Sequence, residues 1–426
     1  MTRLRSVTAS VNRLALETIA VRLLIVAGGF VSSVLTARWL SPAGRGEYFL
    51  VVTLAQMLAQ FGNFGLQSSN TYLAARKTEL AGALLANSMW VSIVVGGLGS
   101  LLVILVATTA GGATASLRLW LVVLLAPATL FYMLGTNLLV GLKQIETYNR
   151  FQLASNYGLL VCLFAAATLG AGATGFVAAS TIGWSAAAIA LMLVGRRHQR
   201  HSLRFSLPVF HDGVRYALKA YVATLCGYVL LRSNVFLLSA VKGPEQVGHF
   251  SVASQIADVV GILPQSIALV LFPTLITAVS GRFQTMLRNL AVVGALLGVG
   301  CALIWLEAEP FVRLLFGPRF AATVPVLRWM LPSAFFLGLT SITSQYLAAS
   351  GFPPALAALW VVGTAISAAA GWLLIPAGGA IGAAMALSIA HGSVFIGVLG
   401  LSLHHAMRGA RVQLVFPIVV EQGVAS

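Results

Sequence analysis

Residues 42–49 read PAGRGEYF, and a related stretch, PEQVGHFS, begins 202 positions later at residues 244–251. Each stretch introduces a long apolar segment. At the same offset Gln56 corresponds to Asp258, so a polar position inside the apolar segments recurs as well. Because these similarities follow in the same order, the sequence predicts a chain built from two related halves.

The apolar segments have the length of membrane-spanning helices. Of the 426 residues, 59% are hydrophobic and 8% are charged, whereas soluble domains average about 25% charged residues. A helix that crosses about 30 Å of hydrocarbon needs about 20 mostly apolar residues. The sequence therefore predicts an all-α polytopic membrane protein with twelve transmembrane helices. The predicted spans are 16–38, 48–72, 81–108, 119–141, 151–170, 174–194, 216–239, 248–279, 287–307, 322–348, 355–375 and 378–403.

The longest polar segment separates the first six predicted spans from the last six. Residues 196–214 are rich in arginine and histidine and are predicted to be a basic cytoplasmic linker. It joins an N-terminal six-helix lobe, 1–195, to a C-terminal six-helix lobe, 215–426. Equivalent spans would share one orientation, and parallel repeats of this kind hold substrate between the lobes in transporters. We therefore expect two pseudo-symmetric lobes around a central cavity.

The formal net charge of +16 is explained by arginines and lysines at the ends of spans. With the N-terminus inside the cell, cytoplasmic segments hold seventeen of these cations and the opposite side holds six. Cytoplasmic loops of membrane proteins carry such an excess. Both termini are thus predicted to be cytoplasmic, with anionic membrane lipids as partners and no nucleic acid.

Ionisable side chains inside predicted spans are the first functional candidates, because a charge near the bilayer centre needs a partner or water. Arg232 lies ten residues before Lys242, and Asp258 lies ten after Gly248. Both are therefore about 15 Å from the predicted outer boundary and could pair. The pair either holds two helices together or faces a cavity and contacts substrate. Arg22, near the start of the first span, either lines that cavity or extends to the headgroups.

Five amides form a polar stripe along the second predicted span. Their spacings of 4, 3, 4 and 3 residues keep them on one helical face. They either bind neighbouring helices by hydrogen bonds or line a wet cavity that accommodates sugar hydroxyls. The five are Gln56, Gln60, Asn63, Gln67 and Asn70.

Four stretches carry a family resemblance. They are TARWLSPAGRGEYFLVVTLAQMLAQFGNFGLQSSNTYLAAR (36–76), LLRSNVFLLSAVKGPEQVGHFSVASQIAD (230–258), LFGPRFAATVPVLRWMLP (315–332) and YLAASGFP (346–353). In order and spacing the chain resembles the polysaccharide exporters and O-antigen flippases of the multidrug, oligosaccharidyl-lipid and polysaccharide exporter superfamily. The resemblance implies two six-helix bundles around a cavity that opens alternately to either face. The chain departs from it at Asn234, where many relatives carry aspartate.

Residues and resemblance together predict a flippase that serves surface polysaccharide, lipopolysaccharide or O-antigen biosynthesis. The resemblance implies a bacterial inner membrane and a polyprenyl-pyrophosphate-linked oligosaccharide as substrate. The predicted substrate-cavity residues are Arg22, Gln56, Gln60, Asn63, Arg232, Asn234 and Asp258. The two arginines are expected to contact the pyrophosphate, and the three amides of the second span are expected to contact the glycan. The aspartate is expected to balance charge or to couple transport.

Two other functions stay open. A drug or small-cation exporter of the same superfamily would need an acidic, aromatic cavity, whereas the deep charges here are mainly arginine. A membrane-embedded polysaccharide polymerase or glycosyltransferase would normally carry a large extramembrane loop with catalytic groups, whereas these loops are short. No catalytic constellation, metal site or cofactor is predicted, so the protein is not expected to be an enzyme. Other polysaccharide-assembly proteins are expected as further partners.

Overall fold

The computed structural model of the chain describes residues 2–111, 116–197, 203–277 and 281–415. Within these ranges the chain is almost entirely helical and no strand occurs. A five-residue π-helix, Ser92–Gly96, continues α4 into α5. The α-helices are α1 (Thr2–Trp39), α2 (Pro42–Gly62), α3 (Leu66–Arg76), α4 (Ala81–Val91), α5 (Gly97–Gly111), α6 (Leu117–Trp120), α7 (Val122–Gly141), α8 (Ile145–Thr168), α9 (Ala173–Arg197), α10 (Leu207–Lys242), α11 (Pro244–Val260), α12 (Ile262–Thr277), α13 (Arg282–Leu306), α14 (Ala308–Phe316), α15 (Thr323–Ala349) and α16 (Pro354–Val415).

The helices confirm the predicted polytopic architecture. Among the described residues, ten helices are long and apolar enough to cross a membrane, and the bent pair α2 and α3 raises the number to eleven. The last of these, Pro354–Arg408, has 55 residues, which at 1.5 Å per residue exceeds one crossing of about 30 Å. It bends at Gly379, whose φ is 56°, so it accounts for the last two predicted spans.

The two related stretches of sequence meet in space where α2 crosses α11. A Cβ on Gly46 would lie 1.7 Å from the carbonyl oxygen of Pro244, and one on Gly248 would lie 1.9 Å from that of Pro42. Each glycine therefore lies against the first residue of the other helix. The contact is reciprocal because the two positions are equivalent in the repeat. The N-terminal ends of α2 and α11 approach this closely only because neither glycine has a side chain.

A second break lies inside the predicted second span. Between α2 and α3 the chain turns through 51°, with Phe64 at φ 47° and Gly65 at φ 78°. The side-chain oxygen of Asn63 accepts a hydrogen bond from the backbone nitrogen of Gln67 at 2.9 Å. This bond satisfies one of the free N–H groups at the start of α3. The second predicted span is therefore a bent pair of helices, and the expectation of one continuous helix was wrong.

The helices pack mainly with helices of the same half of the chain, and α2 with α11 makes the principal contact between the halves. The largest core cluster belongs to the second half, and Ala37 of α1 joins it. Large apolar side chains such as Leu169 and Leu373 are exposed, as is normal for surfaces that face lipid.

Between the halves, α9 continues to Arg197 and α10 begins at Leu207, so part of the predicted linker is helical. Residues 198–202 of that linker lie outside the described residues.

Candidate functional site

Arg232 on α10 and Asp258 near the end of α11 form an ion pair. Arg232 Nη2 donates to Asp258 Oδ2 at 3.0 Å, and Nη1 donates to Ser254 Oγ, one turn earlier on α11, at 3.0 Å. The predicted pairing is confirmed. The Arg232 side chain is only 15% exposed, but that of Asp258 is 36% exposed, so the carboxylate can be reached from outside the pair. Arg232 Nε is buried and has no hydrogen-bond partner among the described residues.

Helix α2 brings the first half of the chain to this pair. The hydroxyl of Tyr228, one turn before Arg232, donates to Gln56 Oε1 at 3.4 Å. The Arg232 guanidinium also lies 5.9 Å from the centre of the Phe49 ring, within the range of a cation–π contact. The repeat-related residues Gln56 and Asp258 therefore belong to one polar cluster, which joins α2, α10 and α11.

Arg22 lies apart from that cluster, in a groove of about 450 Å³ between α1 and α12. The wall is mainly apolar and includes Ile262, Leu269 and Val270 of α12. Arg22 is exposed and forms no ion pair with the described residues. Asn289 of α13, with Ser266 and Thr274 of α12, supplies the uncharged polar part of the lining. The groove thus places one exposed cation beside an apolar wall.

Three other predicted cavity residues are buried in helix contacts. Gln60 and Asn63 are 9% and 2% exposed, and the side-chain oxygen of Asn63 is occupied by the backbone of α3. Asn234 is also buried, and its Nδ2 donates to Ser367 Oγ of α16 at 3.2 Å. The break between α2 and α3 interrupts the face on which the amides were expected to align. Substrate contact by these three residues stays a prediction.

Arg45 was missed as an interior residue, because the sequence placed it in an outer loop. In the structure it lies in the first turn of α2 and is 3% exposed. Its Nε donates to Ser251 Oγ of α11 at 2.8 Å, and its other nitrogens donate to Ser33 and Thr36 of α1. Arg45 therefore ties α1, α2 and α11 together beside the glycine crossing. The signal available in the sequence was its position inside the repeated stretch.

Within the described ranges, no three histidine, cysteine, aspartate or glutamate side chains are grouped so that they could hold a metal ion. The charged groups of the cluster can instead bind or exclude an ion or a polar ligand by electrostatics and hydrogen bonds.

The fold matches solved transporters over most of the chain. Against "Lipid II flippase MurJ, inward closed conformation" the TM-score is 0.73 at 15% identity, over 91% of this chain and 86% of that one. Against "Inward-facing conformation of a multidrug resistance MATE family transporter of the MOP superfamily" it is 0.73 at 16% identity, over 92% and 98%. An outward-facing MATE family transporter gives 0.63 at 15% identity, over 94% and 97%. The protein therefore has the fold of multi-pass membrane transporters.

Comparisons of the amino-acid sequence identify the family to which the chain belongs. The model of the family described as "Polysaccharide biosynthesis protein" matches residues 14–279, and the chain belongs to that family. It is also 24% identical over 306 residues to the "Succinoglycan biosynthesis transport protein ExoT" of Rhizobium meliloti (strain 1021), which covers 70% of this chain. The match spans 61% of the length of that curated relative. The predicted family resemblance is confirmed.

Proposed function

We propose that this protein is a flippase that moves a polyprenyl-pyrophosphate-linked oligosaccharide from the cytoplasmic to the outer leaflet of a bacterial inner membrane. The observation that carries the proposal is the groove beside Arg22. A lipid-linked saccharide has an anionic pyrophosphate next to a hydrocarbon chain, and this groove has an exposed cation next to an apolar wall. Membership of a polysaccharide biosynthesis family and the name of the succinoglycan transport relative support a saccharide cargo.

In this proposal the two arginines act in sequence. Arg22 binds the pyrophosphate when the lipid enters between α1 and α12. Arg232, held in place by Asp258 and Ser254, provides the second positive group deeper in the protein. A guanidinium suits both steps because it stays charged and offers several donors to phosphate oxygens. Asp258 keeps the charge of Arg232 balanced while no substrate is bound, and its exposed face allows it to couple transport to a cation.

Alternating access is part of the proposal, and the contact between α2 and α11 supports it. The close approach of the two helices at Gly46 and Gly248 closes the protein at the ends that the charge distribution assigns to the outside. The hydrogen bonds from Arg45 to α1 and α11 support the same closure. The described conformation is thus the one that receives substrate from the cytoplasm. Release to the outer leaflet requires the two helix ends to separate.

The arrangement of the chain in the membrane is part of the proposal. Residues 1–195 and 215–426 form the two lobes that move against each other, and 196–214 connects them on the cytoplasmic side. Both termini are cytoplasmic. The excess of arginine and lysine in the segments on that side supports this orientation.

The test uses purified protein in vesicles that contain a fluorescent oligosaccharide on polyprenyl pyrophosphate, and it measures the fraction that reaches the opposite leaflet. Arg22→Gln should slow this transfer about 10- to 100-fold, because hydrogen bonds to a charged group contribute about 1.5–3 kcal/mol. The control is Arg150→Gln, since Arg150 is 76% exposed and, among the described residues, its ion pair is with Glu146 on its own helix. The control should transfer the lipid at the wild-type rate.

The exchanged variant, Arg232→Asp with Asp258→Arg, separates recognition from helix packing. It keeps the ion pair, so it should fold, but it moves the positive charge to another helix and should not transport. Full transport by this variant would show that the pair serves packing alone.

Transport of a fluorescent organic cation without transfer of the lipid would support the drug-exporter alternative. A chemically altered saccharide would support the polymerase or glycosyltransferase.

A further inference from the structure

A larger hollow lies within the second half of the chain, on the cytoplasmic side of the Arg232–Asp258 pair in the proposed orientation. It has a volume of about 1,100 Å³ and is lined by α10, α12, α15 and the first part of α16. Helix α12 contributes to both hollows, with Gln265 here and Ser266 in the groove of Arg22. The two hollows therefore lie on adjoining faces of one helix.

The lining of this hollow contains no ionisable side chain among the described residues, unlike the groove beside Arg22. Its polar groups are uncharged amides and hydroxyls, and it includes one indole ring, that of Trp360. The residues that carry the argument are Gln265, Ser341, Ser344, Gln345 and Trp360. Such a lining gives no advantage to a pyrophosphate, which needs cations or many N–H donors.

Several of these polar groups have unused hydrogen-bonding capacity. Ser344 Oγ is buried and has no partner among the described residues. Gln265 is exposed, lines the hollow and forms no side-chain hydrogen bond with the described residues, and Gln345 uses only its nitrogen, which donates to the Ser341 carbonyl at 3.2 Å. Buried polar groups in native proteins are nearly always paired. The buried Ser344 hydroxyl, which has no partner among the described residues, therefore indicates a ligand in the hollow, and the two amides beside it can offer that ligand both donors and acceptors.

We propose that this hollow binds the glycan of the lipid-linked substrate, and this inference rests on the proposed function. A sugar is uncharged, offers hydroxyls that both donate and accept, and has an apolar face that can lie on an indole ring. Amides and serine hydroxyls match those hydroxyls because they also donate and accept. Trp360 supplies the apolar surface and lies against Gly227 of α10, where a Cβ would be 3.5 Å from the ring. A hydrocarbon chain would leave Ser344 and Gln265 unpaired.

The position of the hollow suits this role. Gln265 follows Asp258 by seven residues, which is about 10 Å along a helix. A pyrophosphate held by Arg232 would therefore carry its first sugars next to the hollow. The volume exceeds the roughly 300–1,000 Å³ of ordinary small-molecule sites, so more than one sugar ring can be accommodated. In this proposal the hollow, rather than the buried Gln60 and Asn63, makes the main contacts with the glycan.

The test compares binding of two probes to the purified protein in nanodiscs. One probe is polyprenyl pyrophosphate, and the other is the same carrier with the oligosaccharide of the host cell attached. Ser344→Ala removes a hydroxyl that has no partner in the described chain, so thermal stability should not fall. Its affinity for the glycan-bearing probe should fall about 2- to 10-fold, the effect of one hydrogen bond. The matched control is Ser402→Ala, because that hydroxyl is buried elsewhere and donates to the Val398 carbonyl.

A second pair of variants tests the indole ring. Trp360→Leu should weaken binding of the glycan-bearing probe at least tenfold and leave binding of the bare carrier unchanged, whereas Trp360→Phe should recover part of the loss. Trp329→Leu is the control, since that ring lies outside this hollow and is 47% exposed. Equal affinity of wild type and the hollow variants for the glycan-bearing probe would overturn the inference and leave the flippase proposal intact. Failure of the wild type to bind either probe would overturn both.

Discussion

Replacement of either crossing glycine by alanine tests the contact between α2 and α11 directly. The new Cβ would lie 1.7 Å from the Pro244 oxygen in Gly46→Ala, and 1.9 Å from the Pro42 oxygen in Gly248→Ala. A carbon–oxygen contact needs about 3.3 Å, so the helix ends must separate by roughly 1.5 Å. Overpacking of this kind costs about 1–3 kcal/mol. Gly44→Ala is the matched control, because its Cβ would meet nothing closer than Ser41 Oγ at 3.4 Å.

If the crossing closes one side of a transporter, this cost falls on the closed conformation and shifts the population towards the open one by about 5- to 150-fold. The shift can be measured as a distance distribution between spin labels at Ser116 and Glu245. Both residues are exposed, and the charge distribution assigns both to the outer side. The labels require replacement of the free cysteines Cys162, Cys226 and Cys301. Each crossing variant should gain a population at longer distance.

The two crossing variants should behave alike, because the contact is reciprocal. The reasoning would be refuted if both kept the distance distribution of the Gly44→Ala control, since the clash at the crossing would then have no conformational effect. Thermal unfolding, measured in parallel, shows whether the variants stay folded.

Asn63→Leu should lower the free energy of unfolding by about 0.5–2 kcal/mol, the range for loss of a helix cap, because the buried amide oxygen that accepts from the α3 backbone is removed. Unfolding in mild detergent measures this, and wild-type stability with lost transport would instead favour the cavity role. For topology, cysteines at the exposed positions Glu146 and Glu245 should differ in intact cells: a membrane-impermeant thiol reagent should label Glu245→Cys and leave Glu146→Cys unlabelled. The reverse pattern would contradict the predicted orientation.

Much of the fold could be predicted because hydropathy is a local property. A run of about 20 apolar residues is long enough to cross the bilayer wherever it lies in the chain, and over the described residues each of the twelve predicted spans falls on one helix or on consecutive helices. The pairing of Arg232 with Asp258 was predictable for a related reason, since depth follows from residue count and unlike charges at equal depth in lipid attract. Even so, position along a span carries no information about bends, and the break after Asn63 was missed.

The candidate site was less predictable because burial depends on what each helix face meets. Gln60 and Asn63 belong to a regular amide stripe, yet both are buried. Arg45 is a charged residue of the kind found in loops. In the structure it nevertheless donates hydrogen bonds to Ser33 and Ser251 of other helices. For Arg45, the partner Ser251 comes from a distant part of the chain, 206 residues away.

The sequence by itself determined that this is a polytopic membrane protein, because span length is written along the chain, and its motifs predicted the polysaccharide biosynthesis family. The two related halves stay a prediction from the repeated stretches. Only the tertiary structure decided which polar groups are used in packing and which remain available. The hydroxyl of Ser344, which has no partner within the described ranges, and the indole of Trp360 come together in one hollow from α15 and α16. No spacing in the sequence shows this, because the hollow exists only once four helices have packed and each has turned one face towards it.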